Sequence, residues 1–515
     1  MRSTRFPTCR SLLLLPITTL LLLSTFPFAS ALFAGDTKMT AATRMAGTTA
    51  NGSPQQQLKV AIIGAGAAGL TAARQFARQG IDPVVLEKDA FPGGVWSYHE
   101  NASGRPMYRG LRTNLPRELM AFREKPWGGD GKTKSYVTHR QVLQYLSDYS
   151  QEFGLQKYIR YCCRVCQLTV QTDFGSSAAI VPEGEHPWPK IKLEWEATNG
   201  SEEGGTMHSD IFDAVCICNG HYAKPSSPTI SGLKENFRGS IMHSVEYDDP
   251  TMFAGKTVLC VGGRASGSDL AREISHHASK VYLSDSACKP LEDGMPQKEG
   301  NVLWVPRTVS VDEVGALHFD GCNDAPADVD IIIFCSGYDY QFPFINDMSN
   351  LDVSCISGER RVAPLYEQLW HARYPNLSFV GLQHSVVPFP FFELQTQAVV
   401  ANLVGEAAVP LPNMEDRLKA SQADAESGGP NDPGRVEDTH FLGSYQWDEC
   451  RKYAKIAGLY DEPTENFIAT NKAIYDHSGK RRKGLFPGGP DTYRDDLYVR
   501  QDEKQRFDVQ VAGSR

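Results

Sequence analysis

The strongest constraint on this chain is a plan that occurs twice. In VAIIGAGAAGLTAARQFARQG an apolar, β-branched run enters a glycine turn, an alanine-rich stretch with helical spacing follows, and DPVVLEK supplies a second strand. In TVLCVGGRASGSDLAREISHHASKVYLSD the order returns as strand, glycine turn, helix, strand. Gly64 and Gly262, which open the two turns, are 198 residues apart. The pattern reads as two βαβ units, so the expected fold class is α/β with two dinucleotide-binding, Rossmann-like domains.

Each turn carries chemistry. Gly64, Gly66 and Gly69 form G-x-G-x-x-G between a strand and a helix. The first glycine permits the tight turn, the second lets a pyrophosphate approach the backbone, and the third lets helix and strand pack closely. The N–H groups of Ala65, Ala67 and Ala68 belong to this anion-binding turn, where a helix N-terminus leaves donors unpaired. Glu87, 23 residues after Gly64 and followed by Lys88, stands where a carboxylate accepts from adenosine ribose hydroxyls. The second turn is less regular: Gly262, Arg264 and Gly267 give G-x-R-x-x-G, with Ser266, Ser268 and Asp269 beside them. Asp285 follows Gly262 by 23 residues, the offset of Glu87 from Gly64. The alternative for this unit is a structural βαβ turn without a ligand.

The length of 515 residues allows two or three domains. With a net charge of −9 and scattered Lys and Arg, nucleic acid is not an expected partner. Most of the 12 cysteines, such as Cys216, Cys218 and Cys260, sit in apolar strand-like surroundings and read as buried core. Cys163 and Cys166 form one C-x-x-C without a second pair at zinc spacing, so no metal is expected. Residues 411–440, rich in Pro, Gly and Asp, read as an exposed linker, and the last 75 residues as aromatic helical pieces packed on the body.

The N-terminus has the order of a secretory signal peptide: Arg2, Arg5 and Arg10, then an apolar run over residues 12–23, then the small residues Ala29, Ser30 and Ala31. Residues 1–31 are therefore expected to direct the chain into the secretory pathway. Residues 32–57 read as a flexible linker or the transit half of a bipartite plastid signal. No later stretch is apolar for long enough to span a bilayer. Asn101, Asn199 and Asn376 stand in N-x-S sequons, which take sugar only if exposed.

The two glycine turns, together with the segment holding Phe237, Gly239, His243 and Tyr247, make residues 58–405 resemble the flavin-containing monooxygenases. FRGSIMHSVEY matches F-x-G-x-x-x-H-x-x-x-Y through Phe237, Gly239, His243 and Tyr247. FPGGVW resembles the family's turn along the flavin, with Val95 and Trp96, and MYRGLRTNLPRELMAF the segment that brings Thr113 and Asn114 to the flavin ring. FCSGY at 334–338 resembles the family's strand end. LRTNLPRE and ICNGHY are similar to the plant S-oxygenase branch.

The resemblance implies a discontinuous FAD domain over 58–224 and 331–410, with an NAD(P)H domain over 225–330 inserted into it and a linker and helical extension over 411–515. It implies FAD and NADPH as cofactors, O2 and a small sulfide or amine as partners, and oxygen transfer through a hydroperoxide at flavin C4a. The cofactor carries that chemistry, so no serine, cysteine or paired-carboxylate catalyst is required. Asn114 is the candidate catalytic residue, because its amide both donates and accepts; the alternative is an Asn that satisfies a turn. The Phe237–Tyr247 fingerprint is implied to position the domains, His243 as a hydrogen-bonded structural histidine.

One departure concerns the coenzyme. Ser286 stands where NADPH-using relatives carry Arg, and Asp285 could bond the ribose of NADH, while Arg264 and Lys289 could restore phosphate binding. NADPH is the expectation, with NADH possible. A Baeyer–Villiger monooxygenase is the nearest rival, but its fingerprint ends in Trp where Tyr247 stands. A disulfide reductase and a flavin-binding scaffold without turnover complete the alternatives.

Overall fold

The computed structural model describes residues 58–511 apart from 101–103, 129–133, 172–187, 199–204 and 356–359. The expected signal peptide, the linker or transit segment, and the sequons at Asn101 and Asn199 lie outside the described residues.

Every residue of the strand Val60–Ile63 is buried, because both faces of its sheet are covered. Val60 and Ile62 face Leu70, Phe76, Ala398 and Val399, from the helices Ala67–Arg78 and Pro388–Leu403. Ala61 and Ile63 point the other way, onto Val165, Leu168, Trp195 and Phe212. Those residues belong to the antiparallel strands Cys163–Val170, Ile191–Ala197 and Thr206–Phe212. Burial of a side chain such as Ile62 or Phe76 is worth roughly 1.5–3 kcal/mol, so this strand anchors the domain.

The first sheet has seven strands in the order Leu365–Tyr366, Trp370–His371, Leu377–Phe379, Ala214–Ile217, Val60–Ile63, Val84–Leu86, Ile159–Arg160. The last five are parallel. The second sheet has six: Gln297–Glu299, Val302–Val305, Lys280–Ser284, Thr257–Val261, Ile331–Phe334, Ser240–His243. All but the first are parallel. The second sheet is built from chain lying between Ala214–Ile217 and Leu365–Tyr366, so the first domain is discontinuous and the second is inserted into it.

Two boundaries differ from expectation. The strand Ile331–Phe334 was expected to reopen the first domain, but it sits inside the second sheet, with Val258 opposite Ile331 and Val261 opposite Phe334. A short apolar run buried on both faces carries no mark of the sheet it joins. The stretch 411–440, expected as an exposed linker, contains the helix Met414–Ser427, capped by Asn413. Its buried side chains are Arg417 and Ser421 rather than apolar residues, so no hydrophobic period announces it. Arg417 donates Nε to the Ala372 carbonyl at 2.8 Å, and His440 beyond the helix is also buried.

The C-terminal part supplies the helices Gln446–Ile456 and Glu462–Lys483, then the hairpin Leu497–Gln501 with Arg506–Gln510. Trp447, Tyr453, Tyr493 and Tyr498 join the core that holds Val60. Asn376 is buried, and its Nδ2 donates to the Asp213 and Pro189 carbonyls, so the third sequon offers no free amide in the folded chain. No described helix is long and apolar enough to cross a membrane.

Candidate active site

The two glycine turns are built alike. Gly64 has φ of +101° and donates its N–H to the Leu86 carbonyl at 2.8 Å; Gly262 has φ of +110° and donates to the Ser284 carbonyl at 2.8 Å. A Cβ on Gly64 would stand 2.6 Å from the Cys218 carbonyl oxygen, and one on Gly262 would stand 2.7 Å from that of Cys335. A Cβ on Gly69 would fall 1.9 Å from the Gly64 carbonyl oxygen, and one on Gly267 would fall 1.7 Å from that of Gly262. Side chains at these four positions would drive apart the strand, the turn and the helix.

The helices behind the turns start without side-chain caps. Gly66 precedes Ala67–Arg78 and Arg264 precedes Ala265–Ser275; neither helix has an acid in its first turn. Elsewhere Thr138, Asn413 and Asp461 cap the helices they precede. The helix Pro388–Leu403, which starts beyond the strand Leu377–Phe379 of the first sheet, is also uncapped. Uncapped N-termini present unpaired N–H groups and positive dipole ends to an anion.

The carboxylate after each second strand turns back onto its glycine turn. Oε2 of Glu87 accepts from the Ala65 N–H at 2.5 Å, and Oε1 accepts from the Asp89 N–H at 2.9 Å. Glu87 is buried, and burial pushes its carboxyl above the usual carboxylate range. Asp285 is one methylene shorter and lies nearer the chain: a Cβ on Gly263 would meet its Oδ2 at 2.3 Å. That is why glycine stands at 263 where the first turn has Ala65. Asp285 Oδ1 also accepts from the Ala287 N–H at 3.1 Å. Lys88 and Ser286 are exposed beside these acids.

The FPGGVW segment lies on the first turn. Gly93 donates to the Ala65 carbonyl at 3.0 Å, and a Cβ on Gly94 would stand 2.9 Å from the Gly66 Cα. Val95 and Trp96 follow, half-buried, in the short 3-10 turn Gly94–Trp96. Thr113 is buried and exchanges bonds with Val137: its N–H donates to the Val137 carbonyl at 2.8 Å, and its Oγ1 accepts from the Val137 N–H at 3.1 Å. Asn114 is half-buried, and no described residue hydrogen-bonds its side-chain amide. In the second turn Ser266 is exposed, while Ser268 Oγ donates to the Gly263 carbonyl and the Asp269 carboxylate is held by Arg272 and Arg494, so both side chains face protein. The Arg264 guanidinium lies over the Phe441 ring at 4.7 Å.

Of the fingerprint residues, expected at the domain junction, Phe237 and Gly239 pack inside the second domain, and Tyr247 reaches chain from the first. Gly239 passes so close to Asp330 that a Cβ would stand 2.3 Å from its carbonyl oxygen, and Phe237 packs on the second domain's core. His243 Nδ1 accepts from the Val245 N–H at 3.2 Å, leaving Nε2 to donate to the Gly337 carbonyl at 3.1 Å. Both nitrogens are engaged, and burial lowers the pKa of the ring. Tyr247 donates its hydroxyl to Glu273 at 2.8 Å and sets its ring against Tyr108. Asp248 then accepts from the Tyr98 hydroxyl at 2.9 Å and the Arg109 N–H at 3.1 Å. The thiols of Cys163 and Cys166 donate to separate carbonyls, those of Tyr161 and Arg164.

The flavin-binding monooxygenase-like family model matches residues 57–291 and 289–430. The chain belongs to this family. As a member, it is a flavin-dependent monooxygenase. It is 33% identical over 396 residues to flavin-containing monooxygenase FMO GS-OX-like 2 of Arabidopsis thaliana, covering 73% of this chain and 79% of the relative. It is 32% identical over 472 residues to FMO GS-OX-like 4 of the same plant, covering 86% and 95%. Among solved structures it is similar to the S-allyl-L-cysteine S-oxygenase of Allium sativum, with a TM-score of 0.72, 28% identity, and coverage of 87% of this chain and 97% of that one. Tmm from Pelagibacter shares the fold, with a TM-score of 0.67 at 21% identity over 88% of this chain and 97% of that one.

Sequence reasoning missed Arg494, whose guanidinium touches Asp269 and the Thr113 carbonyl. It is one arginine among acids in DTYRDD, with no periodicity or motif to single it out. It also passed over His221, whose Nδ1 lies 3.0 Å from the Gly381 carbonyl oxygen, and the neighbouring His384 and His440.

Proposed function

We propose that the turn at Gly64 takes the pyrophosphate of FAD, that the turn at Gly262 takes that of NADPH, and that the enzyme transfers one atom of O2 to a soft nucleophile, a thioether sulfur in preference to an amine. The observation that carries this reading is the matched pair of turns: two uncapped helices behind similar glycine contacts, each with a carboxylate at the same offset. The preference for sulfur is supported by the likeness to the garlic S-oxygenase.

Bound FAD would supply hydride acceptance and activation of O2. The chain's own residues bind and orient. Glu87 holds the first turn and offers its carboxylate to ribose hydroxyls. Gly66 and Gly94 keep side chains away from the pyrophosphate path. Asn114 has an amide that no described residue bonds, able to hold or orient a proton beside the reacting oxygen. His243, Tyr247 and Asp248 fix the inserted domain against the first.

For the coenzyme, Arg264 supplies a cation at the second turn, and Lys289 is an exposed cation just beyond Asp285. The second reading, NADH, is favoured by one observation: Asp285 takes the position of Glu87, with the uncharged Ser286 next to it. Anaerobic flavin reduction by each coenzyme separates them, and a strong preference for NADH would overturn NADPH. Asn114→Ala is expected to keep FAD bound while lowering the yield of sulfoxide per NADPH consumed. An unchanged yield would remove Asn114 from the mechanism.

A further inference from the structure

The chain after the helix Glu462–Lys483 crosses from the second domain to the first. Phe486 meets Trp304 at 6.3 Å between ring centroids, and Gly488 packs so closely that a Cβ would stand 3.2 Å from Ala271 and Val302. Asp491 lies 3.7 Å from the Arg272 guanidinium. Beyond residue 494 the chain reaches the first domain: the Tyr498 N–H donates to Ser135 Oγ at 2.9 Å, and Arg500 donates to the Glu118 carbonyl at 2.7 Å. Arg494 sits at the crossing and is 2% exposed. Its Nη2 donates to Asp269 at 2.6 Å, its Nη1 to Asp491 at 2.9 Å, and its Nε to the Thr113 carbonyl at 3.0 Å. Arg112 answers by donating Nη2 to the Arg494 carbonyl at 3.0 Å.

We infer that Arg494 is a positioning residue that fixes residues 112–114 against the helix behind the second glycine turn, and so sets the approach of the nicotinamide to the flavin. The inference rests on the cofactor assignment above. A guanidinium suits this place because its planar fork bonds three groups in fixed directions and stays charged when buried. Asp269 and Asp491 hold that charge in place against the cost of burial. Asp269 belongs to the helix Ala265–Ser275, and Thr113 immediately precedes Asn114. A shift at either end of the fork therefore moves one reacting partner relative to the other. Arg494 lies beyond residue 430, where the family match ends, so the contact comes from the C-terminal extension.

The test compares the FAD-loaded wild type with Arg494→Lys, Arg494→Met, Asp269→Asn and the double variant Arg494→Met/Asp269→Asn. The readouts are FAD content, the limiting rate and apparent Kd of anaerobic flavin reduction by NADPH and by NADH, and hydrogen exchange at the amides of residues 111–115. Arg494→Met should keep its FAD and exchange faster at those amides. Its limiting reduction rate should fall by about tenfold or more, since a misplacement of about 1 Å can cost about a hundredfold when reacting groups are held in place, with a smaller change in Kd. Asp269→Asn should lose a similar factor, and the double variant little more, because both break one contact. Arg494→Lys keeps the charge but not the fork and should fall between; it carries the test if Arg494→Met does not fold. An unchanged limiting rate with only a lower melting temperature, or losses that multiply in the double variant, would overturn the inference. If neither coenzyme reduces the wild-type flavin, the coenzyme assignment fails instead, and unchanged exchange at 111–115 would overturn the positioning role separately.

Discussion

The backbone N–H of Ala65 lies 2.5 Å from Oε2 of Glu87, so one carboxylate closes the first glycine turn, where the proposed FAD would place its ribose. Losing a buried hydrogen bond to a charged group costs about 1.5–3 kcal/mol, which corresponds to about tenfold or more in affinity. Glu87→Ala is therefore expected to shed FAD on dialysis, whereas Glu87→Gln, which keeps an acceptor for Ala65, retains more. Flavin absorbance per chain measures this; full FAD content in Glu87→Ala would contradict it.

Gly263 and Asp285 make the corresponding contact in the second domain, and here the fit is tighter. A Cβ at 263 would stand 2.5 Å from the Asp285 Cβ. Gly263→Ala is expected to weaken NADPH binding by about tenfold or more, in line with overpacking costs of about 1–3 kcal/mol, and to leave FAD content unchanged. Adding Asp285→Gly removes the clash and should recover part of the loss. Titration of the oxidised holoenzyme with NADP+ reports both.

Three histidines near the strand ends titrate below their ordinary range. Burial pushes His221 down to about 4 and His384 and His440 down to about 3, with the Arg264 charge acting in the same direction on His384. Their folded pKa values are depressed, so the stability they contribute is present above the unfolded value of 6.5 and is lost as pH falls from there toward 3–4. Unfolding near pH 5 should thus take up protons. His384→Phe, which keeps the ring beside Phe441, should lower that uptake by about one proton. An identical acid limb in urea titrations of the two proteins would refute the assignment.

Glu393 has the opposite sign. It is buried on the helix Pro388–Leu403 and accepts from the Arg123 N–H at 2.7 Å, and burial pushes its carboxyl up to about 7. Its contribution is complete below 4.5 and is lost as pH rises through 7. Glu393→Gln preserves an acceptor for Arg123 and should raise the melting temperature at pH 8 with little effect at pH 4. Equal shifts at both pH values would show that Glu393 is not protonated in the fold.

The glycine turns were legible because the backbone geometry admits only glycine at Gly64, Gly69, Gly262 and Gly267, so the constraint is written in residue type. The two βαβ units were legible because glycine turn and acid repeat at an offset of 23 residues, whereas the insertion of one domain into the other was implied only by the family resemblance. The place of Ile331–Phe334 was not, since a strand buried on both faces has the same composition in either sheet. The helix Met414–Ser427 was hidden because its buried contacts are made by Arg417 and Ser421, which composition assigns to the surface. Ser268 and Asp269 lie in the second turn as read, but their side chains bond protein, a direction that residue order does not carry. Arg494 was invisible for the same reason, since its partners come from two domains far away in sequence.

Oxygen transfer to a soft nucleophile at the expense of NADPH can be followed with isotopic oxygen. The FAD-loaded protein would be given NADPH, 18O2 and an aryl alkyl sulfide, and the product analysed by mass against the NADPH consumed. A monooxygenase acting on sulfur gives one 18O in the sulfoxide and close to one sulfoxide per NADPH. NADPH oxidation that yields only hydrogen peroxide, with no labelled sulfoxide, or labelled ester from a ketone but nothing from the sulfide, would contradict it.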